Sequence, residues 1–271
     1  MHGKATSPGT QTGTALYVYG IVPADSSAEL FDSVEGVDPN GAVELVREGD
    51  LAAITGHVSL SEFGEDALES NLRDPRWLEA KVRAHDRVLG AAVGSATILP
   101  FRFGAIYRGE EQVRELLGGR PDFADTLSRL RGAVEFGVKA FLDGDAVRAR
   151  LESGRGVQDE PASTGRGYMQ RRQLERDLDE EIRRLAAECV ERSHAQLTAS
   201  ALDARLNPLH QHEWASDDGE IVLNGAYLVR TDEAGPFNRV VSELAEQYAG
   251  AVDYRVTGPW PPYNFVEESD S

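Results

Sequence analysis

The sequence predicts an α+β protein of two small domains, each an antiparallel sheet with helices packed on one face, a long helix opening the second. Three observations carry this reading. The 271 residues exceed the roughly 100–200 that a single core usually holds. Strand-like and helix-like segments come in two successive sets, separated by a Gly/Ser/Thr-rich joint at 154–167. Near the end, Thr257–Phe265 packs three prolines and three aromatics into nine positions directly after a strand-like run. Proline fixes φ and lacks an amide donor, so this segment is expected to be a stiff, mostly polyproline-like strap, neither helix nor central strand. Its rigid aromatics need a surface to pack on.

In the first set, Ala15–Val22 is β-branched and aromatic without a charge, the pattern of a central strand buried on both faces, and Pro23 stops it. Ala42–Arg47 and Leu51–Val58 flank the two-residue Gly49-Asp50 turn and read as a hairpin. From Pro75, Leu78, Val82, His85, Leu89 and Ala92 recur at helical spacing, with Asp74 at the N-cap position and Pro75 in the first turn. Thr97–Tyr107 reads as one continuous strand. Two short helices follow, near Glu110–Leu117 and Asp122–Arg131, then Ala133–Leu142 as a third strand of the same sheet. This order resembles a modified ferredoxin-like layer and places the first domain at 15–153, after a tail at 1–14.

Beyond the joint, the second domain is expected at 168–266, with an acidic tail at 267–271. A helix from Tyr168 carries Leu174, Leu178, Ile182, Leu185 and Cys189 on one face. It continues through Leu197, Leu202 and Leu206 until Pro208 stops it. Its opposite face is rich in Arg, Glu and Asp and reads as solvated. Strands at Leu209–Ala215 and Ile221–Arg230 follow, the second with a bulge or close backbone approach at Gly225. A helix at Pro236–Tyr248 buries Val240, Val241, Leu244 and Tyr248. Val252–Thr257 and the strap close a second ferredoxin-like unit.

Composition narrows the function classes. A net charge of −18 repels phosphate backbones and anionic lipid, which argues against nucleic-acid and membrane partners. Residues 1–14 have no apolar core for a secretion signal and no membrane-length apolar run occurs, so a cytoplasmic location is expected. Cys189 is the single cysteine, so an intrachain disulfide is excluded.

The chemistry-bearing residues do not assemble into a catalytic set. The sequence has no phosphate-binding loop and no nucleophile elbow, and its Gly165-Arg166-Gly167 lies in the joint rather than after a strand. Cys189 falls on an apolar helix face, where a thiol is inert. His210 and His212 would share one strand face, but no carboxylate is placed as a third ligand, so no metal and no cofactor are expected. His57 and His85 read as boundary or core residues. Arg102 sits among Pro, Gly and Ile on its expected strand face. It either forms a buried ion pair with a glutamate of the preceding helix or anchors a partner.

Several segments together resemble the gas vesicle protein GvpL/GvpF family. They are Leu16–Val22, Leu99-Pro100-Phe101-Arg102-Phe103-Gly104, Gly165-Arg166-Gly167-Tyr168, Asn224–Val229 and Thr257–Phe265. The resemblance implies two ferredoxin-related domains and a non-enzymatic accessory or minor structural role in building gas vesicles. The implied partners are the hydrophobic shell protein GvpA and other Gvp accessory proteins, with the chain associated with the vesicles. On the motifs it brings, Arg102, Phe103, Tyr168, Trp260 and Tyr263 are the candidate partner contacts. A tandem ferredoxin-like module that senses a small molecule is the alternative, and a deep apolar pocket would mark it.

Overall fold

The computed structural model describes residues 13–155, 165–209 and 219–266. It divides into two compact units, one of residues up to Val134 together with those from Trp260 onward, the other Glu135–Pro259.

In the first unit, β1 (Thr14–Pro23) is an interior strand of a sheet ordered β2-β3-β1-β4, where β2 is Val43–Glu48, β3 is Leu51–Ser59 and β4 is Leu99–Pro100. A further short strand, β5 (Ile106–Tyr107), also pairs with β1. The β2–β3 hairpin closes Glu48 against Leu51 across Gly49-Asp50, and Gly49 takes φ 57°, as the first central residue of a type II′ turn does. Alternate residues of β1 feed two separate apolar layers. Ala15, Tyr17 and Tyr19 pack in one, Leu16 and Val18 in the other. A register shift between Val18 and Gly20 then moves Ile21 to the second layer and Val22 to the first.

Helices cover both layers. Three helices follow β3: α1 (Leu60–Phe63), α2 (Glu65–Asn71) and α3 (Pro75–Ala92). The last buries Ala84, His85, Val88, Leu89 and Ala92 in the first layer, its N-terminus capped by Asp74 accepting from the Arg76 amide at 3.0 Å. The expected one-sided helical layer is joined by another, because α4 (Glu110–Gly119) and α5 (Asp122–Arg129) bring Val113, Leu117, Phe123 and Leu127 to the second layer.

Thr97–Tyr107 is not one strand. It is β4 and β5 separated by a turn at Phe103-Gly104, with Gly104 at φ 100°, a left-handed conformation that glycine adopts without a Cβ clash. Both ends stay tied to β1, since the Phe101 amide donates to the Tyr19 carbonyl (2.9 Å) and the Val18 amide to the Ala105 carbonyl (2.8 Å). The break also separates residues that one unbroken strand would hold on a single face. Phe101 and Ala105 pack in the second layer, but Phe103 turns to the first.

The second unit holds β6 (Ala133–Leu142), α6 (Gly144–Arg155), α7 (Gly165–Ala199), β7 (Asp203–Leu206), β8 (Glu220–Arg230), α8 (Ala234–Gln247) and β9 (Val252–Trp260), with sheet order β7-β8-β6-β9. Ala133–Leu142 is therefore a strand as expected, but of the second sheet and not the first. It lies between β8 and β9, and its Phe136 stacks on Phe237 of α8 with ring centroids 5.4 Å apart. The unit thus begins at Glu135 rather than beyond a joint. The long helix ends at Ala199, short of the expected Leu206, because the Leu202 amide donates to the Leu228 carbonyl (2.7 Å) and the chain enters β7. At Gly225 a Cβ would stand 2.6 Å from the Tyr227 hydroxyl, so the glycine makes room for a side chain two residues on rather than for a second backbone or a bulge. Most of the expected strand Leu209–Ala215, with His210 and His212, lies outside the described residues.

The closing segment also differs from its expectation. β9 keeps strand geometry through Pro259 to Trp260, which an edge position permits, since a proline there forfeits no interior ladder bond. Tyr263–Phe265 then forms a short 3₁₀ turn rather than polyproline, and this part of the strap belongs to the first unit instead of closing the second.

Candidate functional site

Three of the segments that point to a family, Leu16–Val22, Leu99–Gly104 and Thr257–Phe265, bring residues to one helix residue of the first unit, His85. Tyr17 and Tyr19 share a face of β1, and their rings lie 5.7 and 5.6 Å from the imidazole. The Gly104 amide donates to the Tyr17 hydroxyl (3.0 Å), which also lies 2.9 Å from His85 Nδ1. The Phe101 carbonyl can only accept, so His85 Nε2 carries the proton and donates to it (3.1 Å), and Nδ1 of the neutral ring accepts from the Tyr17 hydroxyl. The Tyr19 hydroxyl accepts from the Val37 amide at 2.9 Å. Phe103 and Tyr263 complete the ring of aromatics, 6.1 and 6.5 Å from the imidazole. Tyr263 also donates to Asp86 Oδ1 (3.1 Å), and Arg129 holds the Phe265 carbonyl at 2.9 Å.

Electrostatics agrees with a neutral, structural imidazole. Burial lowers the His85 pKa below its ordinary 6.5, against the opposing effect of Asp86. Burial likewise raises the Tyr17 hydroxyl and pushes Tyr19 up to about 12. A second layer of polar contacts braces the cluster. Trp77 Nε1 donates to Glu62 Oε1 (2.6 Å), and Lys81 bridges Glu62 (2.9 Å) and the Val37 carbonyl (2.7 Å) below the Phe63 and Trp77 rings.

The five sequence candidates separate by exposure. Phe103 and Tyr263 are half-buried and serve the cluster. Arg102, between Phe101 and Phe103 on the same turn, is exposed, so a buried ion pair is not its role. Trp260 is 46% exposed, and Tyr168, in the second unit, is 60% exposed beside Met169 at 70%. The structure thus brings Phe103 and Tyr263 together at His85 and presents Arg102, Trp260 and Tyr168 to solvent. Sequence reasoning missed the partnership of Tyr17, Tyr19 and His85. The legible signal was two tyrosines at i and i+2 on a strand, with a histidine on the packed face of the next long helix.

Elsewhere the groups stay structural. Cys189 is buried, with the Tyr254 hydroxyl 3.1 Å from its sulfur and 2.6 Å from Ser193 Oγ. Among the described residues no cluster of three or more His, Cys, Asp or Glu could hold a metal ion, and no helix is long and apolar enough to cross a membrane. The depression lined by Tyr107, Gln112, Leu116 and Arg120 is open to solvent rather than enclosed.

Comparison with known proteins puts these motifs in context. The family model described as gas vesicle synthesis protein GvpL/GvpF matches residues 15–267. Gas vesicle protein L of Streptomyces sp. (strain CB03234) is 34% identical over 246 residues, covering 86% of this chain and 88% of that protein. Gas vesicle protein F of the same strain is 30% identical over 260 residues, covering 93% of this chain and all of its own length (100%). In fold, the chain is similar to the crystal structure of GvpF from Anabaena sp. PCC7120, with TM-score 0.68, 19% identity and coverage of 95% and 98% of the two chains. It is similar also to GvpF from Microcystis aeruginosa, with TM-score 0.65, 21% identity and coverage of 93% and 99%. With its motifs, fold and full-length relatives in agreement, the chain belongs to the GvpL/GvpF family of gas vesicle proteins.

Proposed function

We propose that this protein is a non-catalytic accessory or minor structural component of gas vesicles that binds the shell protein GvpA and other Gvp proteins during assembly. The observation that carries the reading is the match of residues 15–267 to the GvpL/GvpF family model, together with the similarity to gas vesicle proteins L and F. A physical rationale supports it. A shell subunit apolar enough to exclude water would aggregate before assembly, and a partner with net charge −18 that covers the apolar surface keeps the pair dispersed. In this reading Arg102 and Trp260 are contact groups, Phe103 and Tyr263 hold them from behind, and Tyr168 is a further contact on the second unit. Its site of action is the cytoplasm, on growing vesicles. Co-expression tests it: GvpA should move from the pellet to the supernatant when this chain is present. An unchanged distribution speaks against it.

A further inference from the structure

Two Asn-Gly dipeptides occur in the sequence, Asn40-Gly41 and Asn224-Gly225. Asparagine followed by glycine readily loses its side-chain amide, since no side chain on the next residue shields the attacking backbone nitrogen. The fold treats the two dipeptides differently. Asn224-Gly225 lies within β8, an interior strand, where the Asn224 carbonyl accepts from the Asn207 amide (2.8 Å) and Gly225 stands opposite Leu206 of β7. Asn40-Gly41 instead completes the turn Asp38-Pro39-Asn40-Gly41 just before β2, and Asn40 is exposed. The Gly41 amide closes that turn by donating to the Asp38 carbonyl (3.0 Å). Asp, Pro and Gly at its first, second and fourth positions are the residues a type I turn favours.

From this contrast we infer that Asn40 is a site of spontaneous deamidation in the folded protein, and that the change weakens the first unit. Local opening of a surface turn frees the Gly41 amide, whereas freeing Gly225 requires a sheet to part. Once free, the Gly41 nitrogen bonds to Asn40 Cγ, its proton passes to water, and the side-chain amide leaves as ammonia. Water then opens the cyclic imide at either carbonyl, which yields aspartate or isoaspartate. One water is consumed and one ammonia released, and nothing is oxidised or reduced.

Neither product suits the turn. Asn40 Nδ2 donates to Asp38 Oδ1 (3.3 Å), so a carboxylate in its place sets like charges together. Isoaspartate lengthens the main chain beside Gly41, where even a Cβ would overlap the His57 carbonyl. Asp38 is buried and ties the turn to the end of β3, accepting from the amides of Asn40 (3.0 Å) and Ser59 (3.2 Å). The preceding Val37 donates to the Tyr19 hydroxyl and accepts from Lys81, so a loosened turn also loosens the braces of the His85 cluster. The inference goes beyond the proposed binding of Gvp partners and does not depend on it.

The test is to incubate the purified full chain at neutral pH, with and without urea, and follow both Asn-Gly peptides by mass spectrometry. In urea the two should deamidate at comparable rates. In the folded chain Asn40 should react at least about tenfold faster than Asn224. Asp38→Ala should speed the reaction at Asn40 and leave Asn224 unchanged. If that variant unfolds, Asn224 speeds up as well, and the wild-type comparison alone decides. The urea midpoint of the wild type should fall as the modified fraction grows, while Asn40→Ser, which cannot react at this position, holds its midpoint over the same period. A folded wild type in which Asn40 survives as long as Asn224 overturns the inference. So does a midpoint that stays constant while deamidation at Asn40 accumulates, or a folded Asp38→Ala that reacts no faster than wild type.

Discussion

Tyr17 makes two hydrogen bonds through one oxygen, and the order of donation fixes the rest of the cluster. Because the Phe101 carbonyl can only accept, His85 Nε2 donates to it, Nδ1 of the neutral ring accepts from the Tyr17 hydroxyl, and that hydroxyl accepts from the Gly104 amide. Tyr17→Phe leaves the Gly104 amide and His85 Nδ1 without this partner while preserving the ring. It should lower the unfolding free energy by about 1–3 kcal/mol in urea titrations, with the m-value unchanged. The buried imidazole also makes stability depend on pH. Its folded pKa lies below the unfolded 6.5, so above 6.5 both states are neutral and the group adds no slope. Below 6.5 the unfolded chain takes up a proton that the folded one refuses, so stability falls as the pH falls toward the folded value. Urea midpoints measured between pH 7.5 and 5 should decline for the wild type, and less steeply for His85→Gln.

At the scale of the elements, the turn between β4 and β5 decides where the aromatics go. Gly104 at φ 100° turns Phe103 toward His85 and leaves Arg102 exposed. Gly104→Ala should cost about 1–2 kcal/mol, read from thermal and chemical denaturation, because an L side chain resists that backbone conformation. Asp74→Ala, which removes the cap of α3, should cost about 1 kcal/mol in the same measurements. What could be read in advance follows the same division. The hairpin around Gly49-Asp50, the cap and apolar spacing of α3, and the limits of Ala133–Leu142 depend on neighbours in sequence, so local rules located them. The sheet that Ala133–Leu142 joins depends on the distant β8 and β9, and nothing in its own residues specifies them. The break in Thr97–Tyr107 was hidden because its apolar alternation continues through Gly104. Helices α1 and α2 were missed although Ser59 stands three residues before Glu62, a capping pattern, and the Ser59 hydroxyl does accept from the Ser61 amide (3.3 Å).

For the whole molecule, the family motifs identify the protein through scaffold residues more than through contact residues. Tyr17, Phe103, Gly104 and Tyr263 hold the first unit together, while Arg102 and Trp260 from the same motifs remain exposed. Substituting the exposed pair should therefore impair partner binding without loss of stability, and substituting the buried group should reduce both. Substitutions at exposed surface positions ordinarily alter stability by less than about 0.5 kcal/mol. The most direct measurement is a pull-down of GvpA with this chain as bait, beside an unrelated acidic protein of equal net charge and the Arg102→Ala/Trp260→Ala variant. Enrichment of GvpA on the wild type over both comparison baits is the expected result. Recovery no greater than on the unrelated acidic protein contradicts a shell-binding role.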